Sequence, residues 1–339
     1  MSIPPTAQQI QYMQEHINET RVPSIHISNA ICLGATTISL ALRFAARHYG
    51  RSGVGKDDYS ILLTYLFQVS YVTSFSSSTR YGQGRHVLLV TNPRGFAICN
   101  VFNMSFYAWG MGCVKFSILL LYHRIFPEKR FRQVLLCLAA LVLSWSLTGF
   151  FTSIFNCYPI EAAWDTSIKG FCINYAETTL IMGILNIMID FVLLLTPMPL
   201  VWKLHMTTQR KILVSGVFVI GCIACVVSIA RLFYARDVVS TYDPSWTNVM
   251  AGILSGLEIA TGIVASCTIT YRPLVERILE FVTSNPQRIA PRSDQGWNRL
   301  RVQHETFIFH DHLDIAQRRQ GGQEAIQWWE LHNRGKTGF

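Results

Sequence analysis

Seven apolar stretches of about 20 residues or more, at 25–45, 58–77, 97–121, 134–155, 178–201, 212–235 and 248–271, limit what this chain can become. At 1.5 Å of rise per residue, a helix of about 20 residues spans the roughly 30 Å of a bilayer's hydrocarbon core. The composition agrees, since 50% of the 339 residues are hydrophobic and only 14% charged, which is unusual for a soluble domain. The prediction is an all-α protein, a seven-transmembrane helix bundle, because only helices or closed barrels satisfy their backbone inside lipid. Residues 1–24 are polar and have no charged start leading into an apolar core. No cleavable signal peptide is expected, and the first apolar stretch is expected to direct insertion.

The basic residues orient the bundle. Arg43, Arg47, Arg51, Lys56, Arg124, Lys129, Arg130, Arg132, Lys203, Arg210 and Lys211 fall after the odd-numbered stretches. Arg21, Arg80, Arg85, Arg94, Lys169, Arg231 and Arg236 fall on the other side. Basic residues collect in cytoplasmic loops, and Arg272 and Arg277 add to the first group. The expected organisation is a short extracytoplasmic segment at 1–24 (amino terminus outside), a membrane domain at 25–283 and a flexible cytoplasmic tail at 284–339. The tail carries aromatic residues Phe307, Phe309, Trp328 and Trp329 that suit a cytoplasmic signalling partner. The formal net charge of +9 belongs to these loops and the tail. No nucleic-acid-binding motif accompanies it, so the expected surroundings are the lipid bilayer and no nucleic acid.

Asn18-Glu19-Thr20 is a glycosylation sequon on the side placed outside, and it makes Asn18 the candidate acceptor. Cys157 and Cys172 share the loop after the fourth stretch, also on the oxidising side, and are expected to pair. The other cysteines lie in or at the ends of apolar stretches and read as small buried side chains. Cys222 and Cys225 have CxxC spacing without a second pair, so no metal site is expected.

Charges inside the apolar stretches carry the functional signal. Lys115, Asp190 and Glu258 lie deep, Arg231 lies near an outer end from which it can snorkel, and Asn186 precedes Asp190 by one helical turn. An isolated ionised aspartate at the centre of a bilayer costs roughly 2.5–3.5 kcal/mol on insertion scales, so such groups face other helices. Two roles are open for Lys115, Asn186, Asp190, Arg231 and Glu258. They form an internal ion-pair network that fixes helix register, or they line a polar pocket for a small lipophilic ligand. Pro197 and Pro199 predict a kink or an early stop in the fifth stretch. Asp57 and Asp58 read as helix-start residues, and the glycines of Gly82-Gln83-Gly84-Arg85-His86 as turn residues.

Taken together, several elements resemble a known family. They are Lys56-Asp57-Asp58-Tyr59, the 82–86 pentapeptide, Lys115-Phe116-Ser117-Ile118 and Tyr122-His123-Arg124-Ile125-Phe126. Further along stand Cys157-Tyr158-Pro159, Trp164, Cys172, Asn186, Asp190, Pro197, Pro199, Trp202, Leu204, Ser228 to Arg231, and Glu258 to Pro273. In order and spacing they are similar to the fungal rhodopsin-domain integral membrane family, with its satratoxin-cluster group and Pth11-like receptor-type members. The similarity spans about residues 25–280. It implies a seven-helix membrane protein with its amino terminus outside, of a kind often found in gene clusters for fungal natural products. Retinal proteins hold their chromophore on a last-helix lysine, and 248–271 contains none. No retinal, and no other cofactor, is expected.

Three functions are compatible with these residues. The first is a receptor-like or accessory protein that senses or handles a small lipophilic metabolite. The second is an intramembrane enzyme of natural-product biosynthesis, an acid-catalysed cyclase or isomerase with Asp190 or Glu258 as the acid. The third is a metabolite transporter, which the lack of a visible inverted repeat disfavours. No P-loop, HExxH or GxSxG motif stands beside the carboxylates, so the first is preferred.

Overall fold

The helices of this chain carry their apolar residues outward as well as inward. In the computed structural model, which describes residues 6–49, 55–125, 128–163, 165, 167–198, 208–239 and 241–271, Ile27, Ile31 and Ile38 of one helix are 60%, 64% and 62% exposed. Asn29, Thr36 and Arg43 of the same helix are buried. A polar stripe turned inward and an isoleucine stripe turned outward suit a helix whose solvent is lipid.

A short helix α1 (Ala7–Glu15) opens the described chain, capped by Thr6 and Gln9 in a reciprocal box. The long helices follow as α2 (Val22–Tyr49), α3 (Lys56–Ser78), α4 (Pro93–Ile125), α5 (Lys129–Ile154), α6 (Tyr175–Leu195), α7 (Thr208–Val239) and α8 (Pro244–Thr268). Each packs on the next, α8 returns to α2 to close a ring, and α4 also meets α8 across the interior. Among the described residues five helices, α2, α4, α5, α6 and α8, are long and apolar enough to cross a membrane. The protein is an all-α membrane protein.

Close approach across the ring depends on small residues. A Cβ added at Gly262 of α8 would lie 2.5 Å from Val114 Cγ1 of α4, whereas one at Gly34 of α2 would meet nothing within 4 Å. Gly262→Ala is therefore expected to cost about 1–3 kcal/mol by overpacking, while Gly34→Ala stays within about 1 kcal/mol of the parent. Thermal unfolding midpoints in detergent check both.

Between α5 and α6, strands β1 (Cys157–Tyr158) and β2 (Phe171–Cys172) pair antiparallel with Cys157 opposite Cys172. A disulfide joins the two cysteines. Inside the loop, Asp165 accepts from the Ser167 N–H at 2.9 Å, which holds its carboxyl below the usual carboxylate range. Helix α6 ends at Leu195, two residues before Pro197, as the missing proline donor requires. Pro199, Trp164, Trp202, Leu204 and the tail from residue 272, with its aromatic residues, lie outside the described residues. Asn18 is exposed on the turn after α1.

Two readings of individual residues need correction. Arg43 and Arg47, counted with a loop, are helical and buried, because α2 continues to Tyr49. Arg231 does not snorkel: α7 runs two further turns to Val239, and the side chain is only 5% exposed.

Candidate functional site

Helical spacing collects the interior polar groups. On α6, Asn186 and Asp190 are one turn apart and share a face, and on α7 Ser228 and Arg231 do the same. On α4, Tyr107 and Lys115 stand eight residues apart, again on one face. Glu258 completes the set from α8. The five sequence candidates converge on one another.

Lys115 forms an ion pair with Asp190 Oδ1 and donates to the Asn186 carbonyl at 3.3 Å. Its ammonium also sits 5.7 Å from the centre of the Trp145 ring, and the Trp145 Nε1–H donates to the Met182 carbonyl at 3.0 Å. Asn186 Nδ2 donates to Glu258 Oε1 at 2.7 Å and reaches Asp190 Oδ2 at 3.4 Å, so one amide bridges both carboxylates. Ser228 Oγ bridges the same two, Glu258 Oε1 by a short bond and Asp190 Oδ2 at 3.4 Å. The Tyr107 hydroxyl donates to Glu258 Oε2 at 2.7 Å. Arg231 Nε lies 3.3 Å from the same Oε2, near enough to pair electrostatically though not aligned as a hydrogen bond. The guanidinium lies over the Tyr107 ring, 4.6 Å from its centre. Gly183 leaves it room, because a Cβ there would stand 3.3 Å from Arg231 Nη2.

The result is a chain of contacts across four helices with two cations and two carboxylates. Lys115 and Glu258 are 1% exposed and Asn186 is fully buried. In a low dielectric such a set survives only when each charge is answered. Tyr107 is the member that sequence reasoning missed, since an aromatic residue in an apolar stretch announces nothing.

A second buried charge cluster lies at the opposite end of α4 from the disulfide. Arg43 donates to Asp58 Oδ1 and to Asp57 Oδ2, each at 2.7 Å, and to the Ser266 carbonyl at 2.7 Å. Arg47 reaches Asp57 Oδ2 at 2.5 Å and Asp58 Oδ2 at 3.3 Å. Arg124, half exposed, approaches Asp57 Oδ1 at 3.5 Å. Asp58 does accept from the Gly55 N–H as a helix-start residue. The arginine pair, one turn apart on α2, was the signal that it does more.

At the disulfide end, the 82–86 loop turns on Gly82 and Gly84, whose φ angles of 109° and 87° favour glycine. The turn sends His86 inward. Its Nδ1 lies 2.6 Å from Asp243 Oδ2, and its ring stacks on Trp246 at 4.6 Å. The Arg21 guanidinium also lies over Trp246, 4.3 Å from the ring centre, and the Arg21 backbone N–H donates to the Gly84 carbonyl at 2.8 Å.

Two cavities open on the disulfide side of the interior network. One, of about 40 Å³, lies between α3, α4, α7 and α8, and the other, of about 50 Å³, between α4, α5 and α6. Both are bordered by Met104, Tyr107, Thr179 and Arg231. Of the five candidates only Arg231 lines either one; Lys115, Asn186 and Glu258 are buried in the network behind it, and Asp190 is 16% exposed. No group of three or more metal-ligating side chains occurs among the described residues.

The fungal rhodopsin domain matches residues 42–277. The polyenoic acids biosynthesis gene cluster protein Ba17b of Metarhizium anisopliae is 28% identical, over 74% of this chain and 72% of its own length. A SAT4 family membrane protein of Emericella nidulans is 31% identical over 61% of this chain and 54% of its own. The receptor GIN3 of Arthrobotrys oligospora is 28% identical over 40% of this chain and 33% of its own. With the domain match covering most of the helical ring, this multi-pass membrane protein belongs to the fungal rhodopsin domain family.

Proposed function

We propose that the chain is a receptor-like or accessory protein that holds a small lipophilic molecule between its helices, in the service of a secondary-metabolite pathway. The observation that carries this is the convergence of two cavities on Tyr107 and Arg231, the edge of the interior network. They pair apolar walls with few polar groups, as small-molecule sites do. A ligand that contacts Arg231 touches a residue tied to Glu258, and through it to helices α4, α6 and α8. Differential contact of that kind lets a ligand favour one helix arrangement. The names of relatives, one a receptor and one a biosynthetic cluster protein, support the same role. In this proposal all seven long helices cross the bilayer, the amino terminus lies outside with Asn18 open to glycosylation, and the tail is cytoplasmic.

The enzyme alternative asks Asp190 or Glu258 to meet a substrate. Neither lines the two cavities, and Glu258 is already an acceptor for Tyr107, Asn186 and Ser228. Metabolite profiling of a strain lacking the gene separates the roles. The expected outcome is altered amounts of finished product with no precursor piling up. Accumulation of one precursor that membranes containing the protein then convert would overturn the proposal in favour of an enzyme.

A further inference from the structure

We infer that the molecule held beside Arg231 is an uncharged lipophilic compound with a carbonyl group, whose oxygen accepts from the guanidinium. The inference rests on the small-molecule site proposed above and narrows its chemistry.

Three observations carry it. The first is the state of Arg231. Its plane lies on Tyr107, and its Nε, 3.3 Å from Glu258 Oε2, is buried without a hydrogen bond. The residue lines both cavities while being 5% exposed. Buried guanidinium N–H groups need acceptors, and a ligand oxygen supplies one.

The second is charge. Lys115 and Arg231 are matched by Asp190 and Glu258, so the interior is already neutral. A carboxylate or phosphate ligand would bring an unanswered negative charge into a low-dielectric site, and removing such an ion from water costs several kcal/mol. A carbonyl oxygen takes the same hydrogen bonds without that cost.

The third is Asn103 on the wall of the cavity between α3, α4, α7 and α8. It is 7% exposed, and its Oδ1 has no partner. With Asn100, Asn248 and Ser255 it gives that cavity further uncharged polar groups, among the rings of Tyr71 and Phe75. A ligand with one carbonyl and one further polar group on an apolar skeleton answers both Arg231 and Asn103. A pure hydrocarbon leaves both unanswered.

The experiment uses the full chain in lipid nanodiscs, with decanamide, methyl decanoate, decanoate and decane as probes, read by saturable shifts in thermal unfolding. Decanamide and methyl decanoate are expected to bind about ten-fold more tightly than decanoate or decane, the factor that one hydrogen bond to a charged donor provides. Arg231→Lys, which keeps the charge facing Glu258 but loses the planar fork, is expected to erase that preference. Asn103→Val leaves the network untouched and is expected to weaken decanamide about three-fold or more while sparing methyl decanoate. Equal or tighter binding of decanoate overturns the uncharged-carbonyl assignment and leaves the small-molecule site standing. Preference retained in Arg231→Lys overturns the role of Arg231. Saturable binding of none of the four overturns the site itself.

Discussion

Lys115→Met is expected to destabilise the protein by about 3–5 kcal/mol, the usual cost of removing one partner from a buried ion pair. Asp190 would keep only the weak 3.4 Å contacts from Asn186 and Ser228, with Glu258 close by as a second carboxylate answering to the same two donors. The loss should appear as a reduced monodisperse fraction in detergent and a lower thermal midpoint. The double variant Lys115→Met/Asp190→Leu removes both charges and should recover much of the stability, since a well-packed apolar pair often matches a buried ionic one. If the single and double variants were equally unstable, the pair would not be the unit that matters.

Asp58→Ala is the second large effect, again about 3–5 kcal/mol. Asp58 is fully buried and answers Arg43, with Arg47 3.3 Å away. Without it, two buried guanidinium groups share Asp57 alone. Arg124→Ala provides the contrast within the same cluster. Its side chain is 50% exposed and 3.5 Å from Asp57, so solvent screens the pair and the change should stay below about 1 kcal/mol. Comparable losses in the two variants would show that burial does not set the energies at this end of the bundle.

These two clusters differ in how far they could be read from sequence. Lys115, Asp190 and Glu258 stand out because long apolar flanks make a charge conspicuous, and a charge in lipid must find company. Arg43, Arg47, Asp57 and Asp58 were harder, since charges at helix ends are ordinary. Their burial depends on α2 extending past its apolar stretch to Tyr49. Arg231 was read as an outer residue for the same reason, because hydropathy marks where an apolar run fades and not where the helix stops. His86 and Asp243 are 157 positions apart, and no local pattern links them. The helical class followed directly from segment length. The span count is less direct: α3 mixes serine, threonine and glutamine into its apolar face because those residues turn inward, as Thr64 and Gln68 do. The separation of a buried network from open cavities depends on side-chain packing, which no spacing rule contains.

The His86 contact with Asp243 and Trp246 bears on how the bundle can move. It fastens the approach to α2, the α3–α4 connection and the start of α8 into one rim. The Arg43 cluster ties the same helices α2, α3 and α8 at their other end, so this side of the ring is clasped at both mouths. A rearrangement begun beside Arg231 would then fall to α6 and α7, which supply no residue to either clasp.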